Sequence, residues 1–263
     1  MEEAPAGVEP FEAMAGLRAQ VIEDLGLSGE DRMAAAAEGA GYPGALVVLA
    51  DALRRAHCRT VADLGGGLGG ASQWLAEQIG AMVTVVERSP ASALAGRRLF
   101  PERPVIIGGV DAVPLATASV DAVTLLGVVS LVPDDAPLLD EAARLLRPGG
   151  LLALSDLCLP GGDGRGRRGD VARPPNVFRS TATLATDMTR RGMEVIGVWE
   201  WTDDGDATWG PIEERVAHRL AERDAGSGAV RRWREDQARL ARVRREEGLV
   251  VASVVARLRS SVR

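Results

Sequence analysis

A short apolar run followed at once by a glycine cluster restricts the fold of this chain more than any other feature. The run is "TVADL", 60–64, and five of the six residues that follow it, 65–70, are glycine. The next stretch, "SQWLAEQI", 72–79, has the spacing of a helix that Ser72 is able to cap. Strand, glycine turn and helix in this order are typical of an open α/β sheet, whose ligands bind beyond the carboxyl ends of the strands.

Further apolar runs extend this pattern to seven predicted strands. The six additional runs are 82–87, 104–108, 120–126, 151–156, 193–201 and 249–258. Amphipathic stretches predict helices at 11–25, 45–56, 137–146 and 183–192. Apolar strands that alternate with helices predict an α/β fold: a doubly wound, mostly parallel seven-stranded sheet with helices on both faces. We expect an N-terminal helical cap at 1–57, a ligand-binding core at 58–160, and a remainder of the same domain at 161–263, with helices inserted between the last two strands.

The composition excludes several classes of protein. The chain has 263 residues, a net charge of −6 and a pI of about 5.2, whereas nucleic-acid-binding domains usually have a strong basic excess. All 31 basic residues are arginine, so a Walker phosphate loop and a Schiff-base enzyme, which both need lysine, are excluded. Cys58 and Cys158 alone cannot form a metal cluster or a disulfide framework, and we expect two buried thiols.

No segment predicts export or a membrane span. The first ten residues, "MEEAPAGVEP", are acidic without an apolar core, and no apolar run reaches the ~20 residues of a bilayer span. We therefore expect a cytoplasmic protein. The composition of 160–175, "PGGDGRGRRGDVARPP", predicts a linker or a lid. The arginine-rich stretch 231–248 predicts a solvated helix and not a nucleic-acid surface, because acids are interspersed along it.

The glycine cluster and two carboxylates near it indicate the ligand. Gly65, Gly67 and Gly70 fit the dinucleotide pattern G-x-G-x-x-G. Glu87 ends the next strand 22 residues after Gly65, where a carboxylate can accept hydrogen bonds from ribose hydroxyls. S-adenosylmethionine (SAM) also has a ribose and an adenine, but it has an amino acid in place of the pyrophosphate. Asp63 suits the ammonium of that amino acid, whereas it would repel a pyrophosphate.

The order of several motifs makes the preference for SAM specific. "VADLGGGLGG", 61–70, resembles motif I of the class I SAM-dependent methyltransferases, which is an acid and one residue followed by G-x-G-x-G. "VVERSP", 85–90, "GGVDAVPLATASVDAV", 108–123, and "VDAVTLLGVVSLVPD", 120–134, are similar to the stretches that follow in that family, and the resemblance covers about residues 58–157. It implies a SAM site formed by Asp63, Gly65, Gly67, Glu87, Arg88, Asp111, Ala112 and Leu126.

The resemblance also implies a role for several of these residues. Glu87 would hold the ribose, Asp111 the adenine amine, and the backbone N–H of Ala112 the adenine ring. Leu126 would lie under the methionine part of the cofactor. Many members of the family have a cysteine at the position of Gly66, and we expect the glycine to loosen the turn slightly without a cost in binding.

The reaction implied is transfer of the sulfonium methyl to an acceptor, which we expect to be small and partly apolar and to react through oxygen, nitrogen or carbon. The composition suits an enzyme of secondary metabolism. Because that methyl is already activated, the protein needs mainly to align the acceptor. Val128, Val129 and Ser130 are expected to line the floor of the acceptor pocket. No catalytic residue and no metal ligand is assigned.

The histidines, the tyrosine and three tryptophans are further candidates for functional or structural roles. His218 is either a base or a surface histidine, and His57 is expected to be structural. Tyr42 is a candidate contact to the cofactor. The tryptophans Trp199, Trp201 and Trp209 belong either to the core or to the acceptor pocket.

Three alternative functions use the same residues. A nicotinamide dehydrogenase fits G-x-G-x-x-G, but a short-chain dehydrogenase would need a Tyr-x-x-x-Lys pair, and the chain has no lysine. A SAM-binding enzyme that catalyses a cyclisation or rearrangement would keep all the glycines. A non-catalytic partner subunit would keep the fold, although intact Asp63, Glu87 and Asp111 argue against a loss of cofactor binding. We expect no nucleic-acid or membrane partner, and a homodimer is left open.

Overall fold

The computed structural model describes residues 8–38, 43–160, 171–201, 209–223 and 226–260. The helices within these ranges are α1 (Val8–Asp24), α2 (Gly29–Ala36), α3 (Pro43–Arg55), α4 (Gly70–Ile79), α5 (Pro90–Leu99), α6 (Ala136–Leu145), α7 (Thr181–Arg190), α8 (Gly210–Arg223) and α9 (Gly228–Glu247), with a 3₁₀ turn at Val129–Leu131. The strands are β1 (Thr60–Leu64), β2 (Met82–Glu87), β3 (Val105–Ile107), β4 (Val120–Leu126), β5 (Leu146–Cys158), β6 (Val171–Arg173), β7 (Asn176–Phe178), β8 (Met193–Trp201) and β9 (Val250–Leu258).

Seven strands form one central sheet in the order β3-β2-β1-β4-β5-β9-β8. The first five strands pair in parallel, and β9 lies antiparallel between β5 and β8. The predicted doubly wound, mostly parallel seven-stranded sheet is therefore confirmed. The strand order reverses between β1 and β4, and in such sheets a crevice opens at this point beyond the strand ends.

The two faces of the sheet bury separate cores because neighbouring residues of a strand point to opposite faces. Val61 of β1 belongs to the core that packs beneath α1 to α4, and its neighbour Ala62 belongs to the core beneath α6 and α7. Cys58 and Cys158 are buried free thiols, as expected. Among the described helices, none is both long enough and apolar enough to cross a bilayer.

Three elements differ from the sequence-based predictions. Helix α2 was not predicted, because its sequence "GEDRMAAA" offers only one large apolar side chain; its four residues from Met33 to Ala36 are nevertheless buried by tertiary contacts. Helix α5 was not predicted from the apolar pattern either. Ser89 caps this helix by accepting a hydrogen bond from the backbone N–H of Ser92. Residues 171–175 of the expected linker or lid form the first strand and the turn of the β6–β7 hairpin, while 161–170 lies outside the described residues.

Candidate functional site

The sheet places the carboxyl-terminal ends of β1, β2 and β4 side by side. Asp63 of β1 pairs in register with Val85 of β2 and with Thr124 of β4. The glycine turn after β1 therefore begins beside Glu87, the last residue of β2, and beside Leu126, the last residue of β4. Parallel register thus brings together residues that are up to about 60 positions apart in sequence.

Glu87 is tied to the glycine turn by a direct hydrogen bond. Its Oε2 accepts from the backbone N–H of Gly67 at 3.0 Å, and its Oε1 accepts from the N–H of Ser89 at 2.8 Å. Gly67 has φ +56°, a conformation that side chains with a Cβ rarely adopt. Each carboxylate oxygen keeps a second lone pair, so the Glu87 side chain, although 6% exposed, still has acceptor capacity for ligand hydroxyls.

Asp63 is buried, and its two oxygens have protein partners. Oδ1 accepts from the hydroxyl of Thr124 at 2.7 Å, and Oδ2 accepts from the hydroxyl of Ser72. Burial raises the pKa of the Asp63 carboxyl above its usual range, and the two hydroxyl hydrogen bonds oppose that rise. The structure thus gives Asp63 a role in joining β1, β4 and α4; direct contact with a ligand ammonium stays a prediction.

Two expectations for this turn need correction. Ser72 does not cap α4, whose N-cap is Gly69, because its hydroxyl is used by Asp63. Gly66 does more than loosen the turn: a Cβ there would lie 2.6 Å from Asp63 Oδ2 and 3.0 Å from Val85 Cγ1. The glycine is therefore what allows the Asp63 carboxylate to occupy its position under the turn.

The remaining predicted cofactor residues surround the same strand ends. Leu126 is buried at the end of β4, and Arg88 is exposed directly after Glu87. Asp111 and Ala112 are exposed in the loop after β3, whose last residue Ile107 pairs in register with Glu87. Their contacts with a cofactor remain predictions.

A buried polar network that sequence reasoning missed joins the N-terminal helices to α8. Arg18 on α1 is 3% exposed; its Nε donates to the carbonyl of Ala35 at 2.7 Å, and its terminal nitrogens donate to the carboxylate of Glu213. Glu38, two residues after α2, has its Oε1 3.9 Å from Arg18 Nε. No local pattern marks these residues, because the ion pair between Arg18 and Glu213 joins positions 195 apart.

The turn after β4, where the acceptor pocket is predicted, is fixed from two sides. Arg179, 4% exposed, donates to the carbonyls of Val129 at 2.7 Å and Val132 at 3.0 Å and lies 2.9 Å from Asp135 Oδ2.

Asp156 near the end of β5 holds the same turn from the other side, since it accepts from the N–H of Ser130 at 3.0 Å. Burial raises the pKa of Asp156, and its hydrogen bonds with Ser130 oppose the rise. The polar end of the run "LLALSD" was the signal that could have identified Asp156.

Val128, Val129 and Ser130 are all buried at the turn after β4, where the predicted pocket floor lies. His218 lies on the exposed face of α8 with its Nε2 3.1 Å from Glu222 Oε1, an arrangement typical of a surface histidine. His57 is exposed and precedes β1.

The tryptophans lie in different environments. Trp209 is 5% exposed and packs edge-to-face on Trp74, with ring centroids 6.3 Å apart, so it belongs to the core. Trp199 on the edge strand is 37% exposed, and Trp201 is half-buried. Tyr42 lies outside the described residues.

The residues around the glycine turn fit a ligand in which a nucleoside carries an amino acid. The conformation of Gly67 leaves its outer side open toward the described part of the chain, where a Cβ would have only Glu38 Oε2 within 4 Å, at 3.5 Å. Glu87 provides a carboxylate for vicinal hydroxyls, and Glu38 has a buried Oε2 with no hydrogen-bond partner among the described residues. A pyrophosphate would meet two carboxylates at this turn and would be repelled.

Known proteins share the sequence of the core and the fold of most of the chain. Residues 62–154 match the family model described as a methyltransferase domain. An uncharacterized methyltransferase of Mycobacterium bovis is 38% identical over 104 residues, 40% of this chain and 42% of the relative. A dimethylglycine N-methyltransferase of Parasynechococcus marenigrum is 36% identical over 118 residues, 43% of this chain and 41% of the relative. The chain thus spans about two fifths of the length of the curated relatives it matches.

The crystal structure of a SAM-dependent methyltransferase from Geobacter sulfurreducens in complex with S-adenosylhomocysteine superimposes with a TM-score of 0.61. The sequence identity is 21%, and the alignment covers 83% of this chain and 92% of that chain, so this likeness supports the fold. Residues 62–154 thus resemble methyltransferase domains in sequence, and the seven-stranded sheet has the fold of a class I SAM-dependent methyltransferase.

Proposed function

We propose that this protein transfers the methyl group of SAM to a small, partly apolar acceptor. Bound SAM supplies a methyl group that its sulfonium already activates. The observation that carries the proposal is the glycine turn, where the hydrogen bond between Gly67 and Glu87 sets a carboxylate beside bare backbone at the switch point of the sheet. Glu87 would hold the ribose, and the open side of Gly67 would receive the amino-acid half.

The acceptor is proposed to bind over the turn that follows β4. Val128 and Val129 give this turn an apolar floor, while Leu131 presents a side chain that is 52% exposed. Arg179 and Asp156 hold the backbone of the turn through the hydrogen bonds described above, so they would position the floor and not touch the acceptor. A rigid floor aligns an acceptor with an activated methyl, which is the main requirement of such a reaction.

Charge and similarity support a small-molecule acceptor. The net charge of −6 disfavours a nucleic acid, and acids are interspersed among the arginines of α9. One matched relative is named for dimethylglycine, a small amine. We propose a small acceptor on these grounds and keep oxygen, nitrogen and carbon as acceptor atoms; a role in secondary metabolism is proposed on composition alone.

The test has two stages. Calorimetry first measures SAM binding, which we expect for the wild-type chain and not for Gly67→Val. A panel of small alcohols, phenols, amines and carbon acids is then incubated with SAM, and S-adenosylhomocysteine and the methylated product are measured by mass spectrometry. Conversion of an acceptor with SAM left intact would support a cyclase or rearrangement enzyme instead, and a wild-type chain that does not bind SAM would contradict the proposal.

A further inference from the structure

Helix α2 brings a carboxylate to the glycine turn from outside the sheet. A Cβ on Gly70, the first residue of α4, would collide with the carbonyl oxygen of Met33 and the backbone nitrogen of Ala37. Because Gly70 has no Cβ, the carboxyl end of α2 packs directly on the start of α4. The chain that leaves α2 therefore passes the turn, and Glu38 Oε2 lies 3.5 Å from the position that a Cβ on Gly67 would take.

The Glu38 carboxylate has an oxygen without a partner. Oε2 is buried and has no hydrogen-bond partner within the described ranges, although the side chain as a whole is 29% exposed. Among the described residues Glu38 forms an ion pair with Arg18, whose Nε lies 3.9 Å from Oε1, beyond hydrogen-bond distance. That Nε donates to Ala35, and the terminal nitrogens of Arg18 donate to Glu213. Arg18 thus leaves Oε2 unsatisfied.

The charges around Glu38 favour a cation at this position. Burial raises the pKa of Glu38; Arg18 opposes the rise, and the negative charges of Glu213 and Glu87 add to it. A buried carboxylate without a hydrogen-bonded partner is costly in free energy. A cation that enters between Glu38 and the glycine turn would remove that cost, since it would neutralise the carboxylate and donate to the unpartnered oxygen.

We propose that Glu38 binds the ammonium group of the methionine half of SAM. This inference rests on the proposed function. An ammonium has three N–H donors and a positive charge, whereas ribose hydroxyls carry no charge and the sulfonium has no N–H to donate. Asp63, the residue expected from the sequence to meet the ammonium, already has Ser72 and Thr124 on its two oxygens. Glu38 is thus a cofactor-binding residue that the N-terminal helices add to the strand-end site.

The test compares three ligands that differ in the amino-acid half. SAM and S-adenosylhomocysteine both have the ammonium, and 5′-methylthioadenosine has the same nucleoside without the amino acid. Calorimetry measures the affinity of each ligand for the wild type and for Glu38→Gln. The matched control is Asp31→Asn, which removes one negative charge from the other, exposed end of α2. Thermal unfolding without ligand verifies that each variant is folded.

We expect Glu38→Gln to bind SAM and S-adenosylhomocysteine about 10- to 100-fold more weakly, because a charge-assisted hydrogen bond is lost. The affinity for 5′-methylthioadenosine should change less than about twofold, and Asp31→Asn should resemble the wild type. Wild-type affinity of Glu38→Gln for SAM would overturn this inference and leave the proposed function standing. An equal loss for all three ligands would also overturn it, since the effect would then not depend on the ammonium. A wild-type chain that binds none of the ligands would overturn the proposed function and, with it, this inference.

Discussion

The backbone N–H of Gly67 donates to Oε2 of Glu87 over 3.0 Å, so the glycine turn and the end of the second strand form one unit. The same carboxylate accepts from Ser89 at the start of α5. A ligand that contacts Glu87 would therefore meet a side chain that two backbone groups already hold in place. Such preorganisation reduces the entropy lost on binding.

Replacement of Glu87 by glutamine should weaken SAM binding by about 1.5–3 kcal/mol, because the amide offers one acceptor oxygen and no charge. Since 5′-methylthioadenosine also has the ribose, its affinity should fall as well, in contrast to the Glu38 variant. Calorimetry with both ligands measures the two effects. Glu102→Gln, at an exposed site after α5, is the control. Unchanged affinities in Glu87→Gln would refute the assignment of the ribose to Glu87.

Gly67→Val should abolish SAM binding, because the branched side chain would fill the open side of the turn. Gly80→Val is the matched control, because Gly80 also has a positive φ, +63° against +56°, and a Cβ there would meet no atom of the described residues within 4 Å. Both variants should lose a similar stability of about 1 kcal/mol from backbone strain. Thermal unfolding and calorimetry separate the two effects, and SAM binding by Gly67→Val would contradict the location of the ligand.

Asp63 and Gly66 should show strong coupling in a double-mutant cycle. Asp63→Ala leaves the hydroxyls of Ser72 and Thr124 without their acceptor, which should cost about 1–3 kcal/mol of unfolding free energy. It should also weaken SAM binding, because the glycine turn loses the side chain that supports it. Gly66→Ala should destabilise the wild type, because its Cβ would approach Asp63 Oδ2 at 2.6 Å. In the Asp63→Ala background most of that clash is absent, although Val85 Cγ1 remains at 3.0 Å. Denaturant unfolding of the four proteins gives the coupling energy, and additive costs would show that the two residues do not interfere.

Glu141 should make part of the stability depend on pH. It accepts from Arg144 Nη2 at 2.6 Å and from the N–H of Val113 at 2.6 Å, which ties the loop of Asp111 and Ala112 to α6. The hydrogen bond from Arg144 lowers the pKa of Glu141 below its ordinary value of 4.5, and burial opposes this. The native state thus binds fewer protons here than the unfolded chain, so the stabilisation is fully present above the ordinary value of 4.5 and is lost as the pH falls through the lower native value.

The measurement for Glu141 is the free energy of unfolding between about pH 3 and 7 for the wild type and Glu141→Gln. The difference between the two proteins should shrink toward low pH. Glu214→Gln, at an exposed position of α8, provides the control for the loss of one carboxylate. A constant difference between the wild type and Glu141→Gln across this range would show that ionised Glu141 does not support the fold.

The elements around the site were largely predictable because their signals are local. The apolar runs of β1, β2 and β4 identify buried strands, and the glycines between β1 and α4 identify the turn. Glu87 could be assigned to the strand end since it directly follows "MVTVV". Helix α2 could not be predicted in the same way, because alanine-rich segments have no clear apolar period and gain their stability from packing.

The α/β layers, the glycine turn after β1 and the carboxylate after β2 could be inferred from the sequence, because each depends on residues that are neighbours in the chain. Three contacts follow from the folded structure alone: Asp63 with Ser72 and Thr124, Arg18 with Glu213, and Glu38 with the glycine turn. The contacts of Asp63 depend on the direction in which its side chain leaves the strand. The last two depend on how closely α1, α2 and α8 pack on the sheet, and the missing Cβ of Gly70 sets that approach for α2.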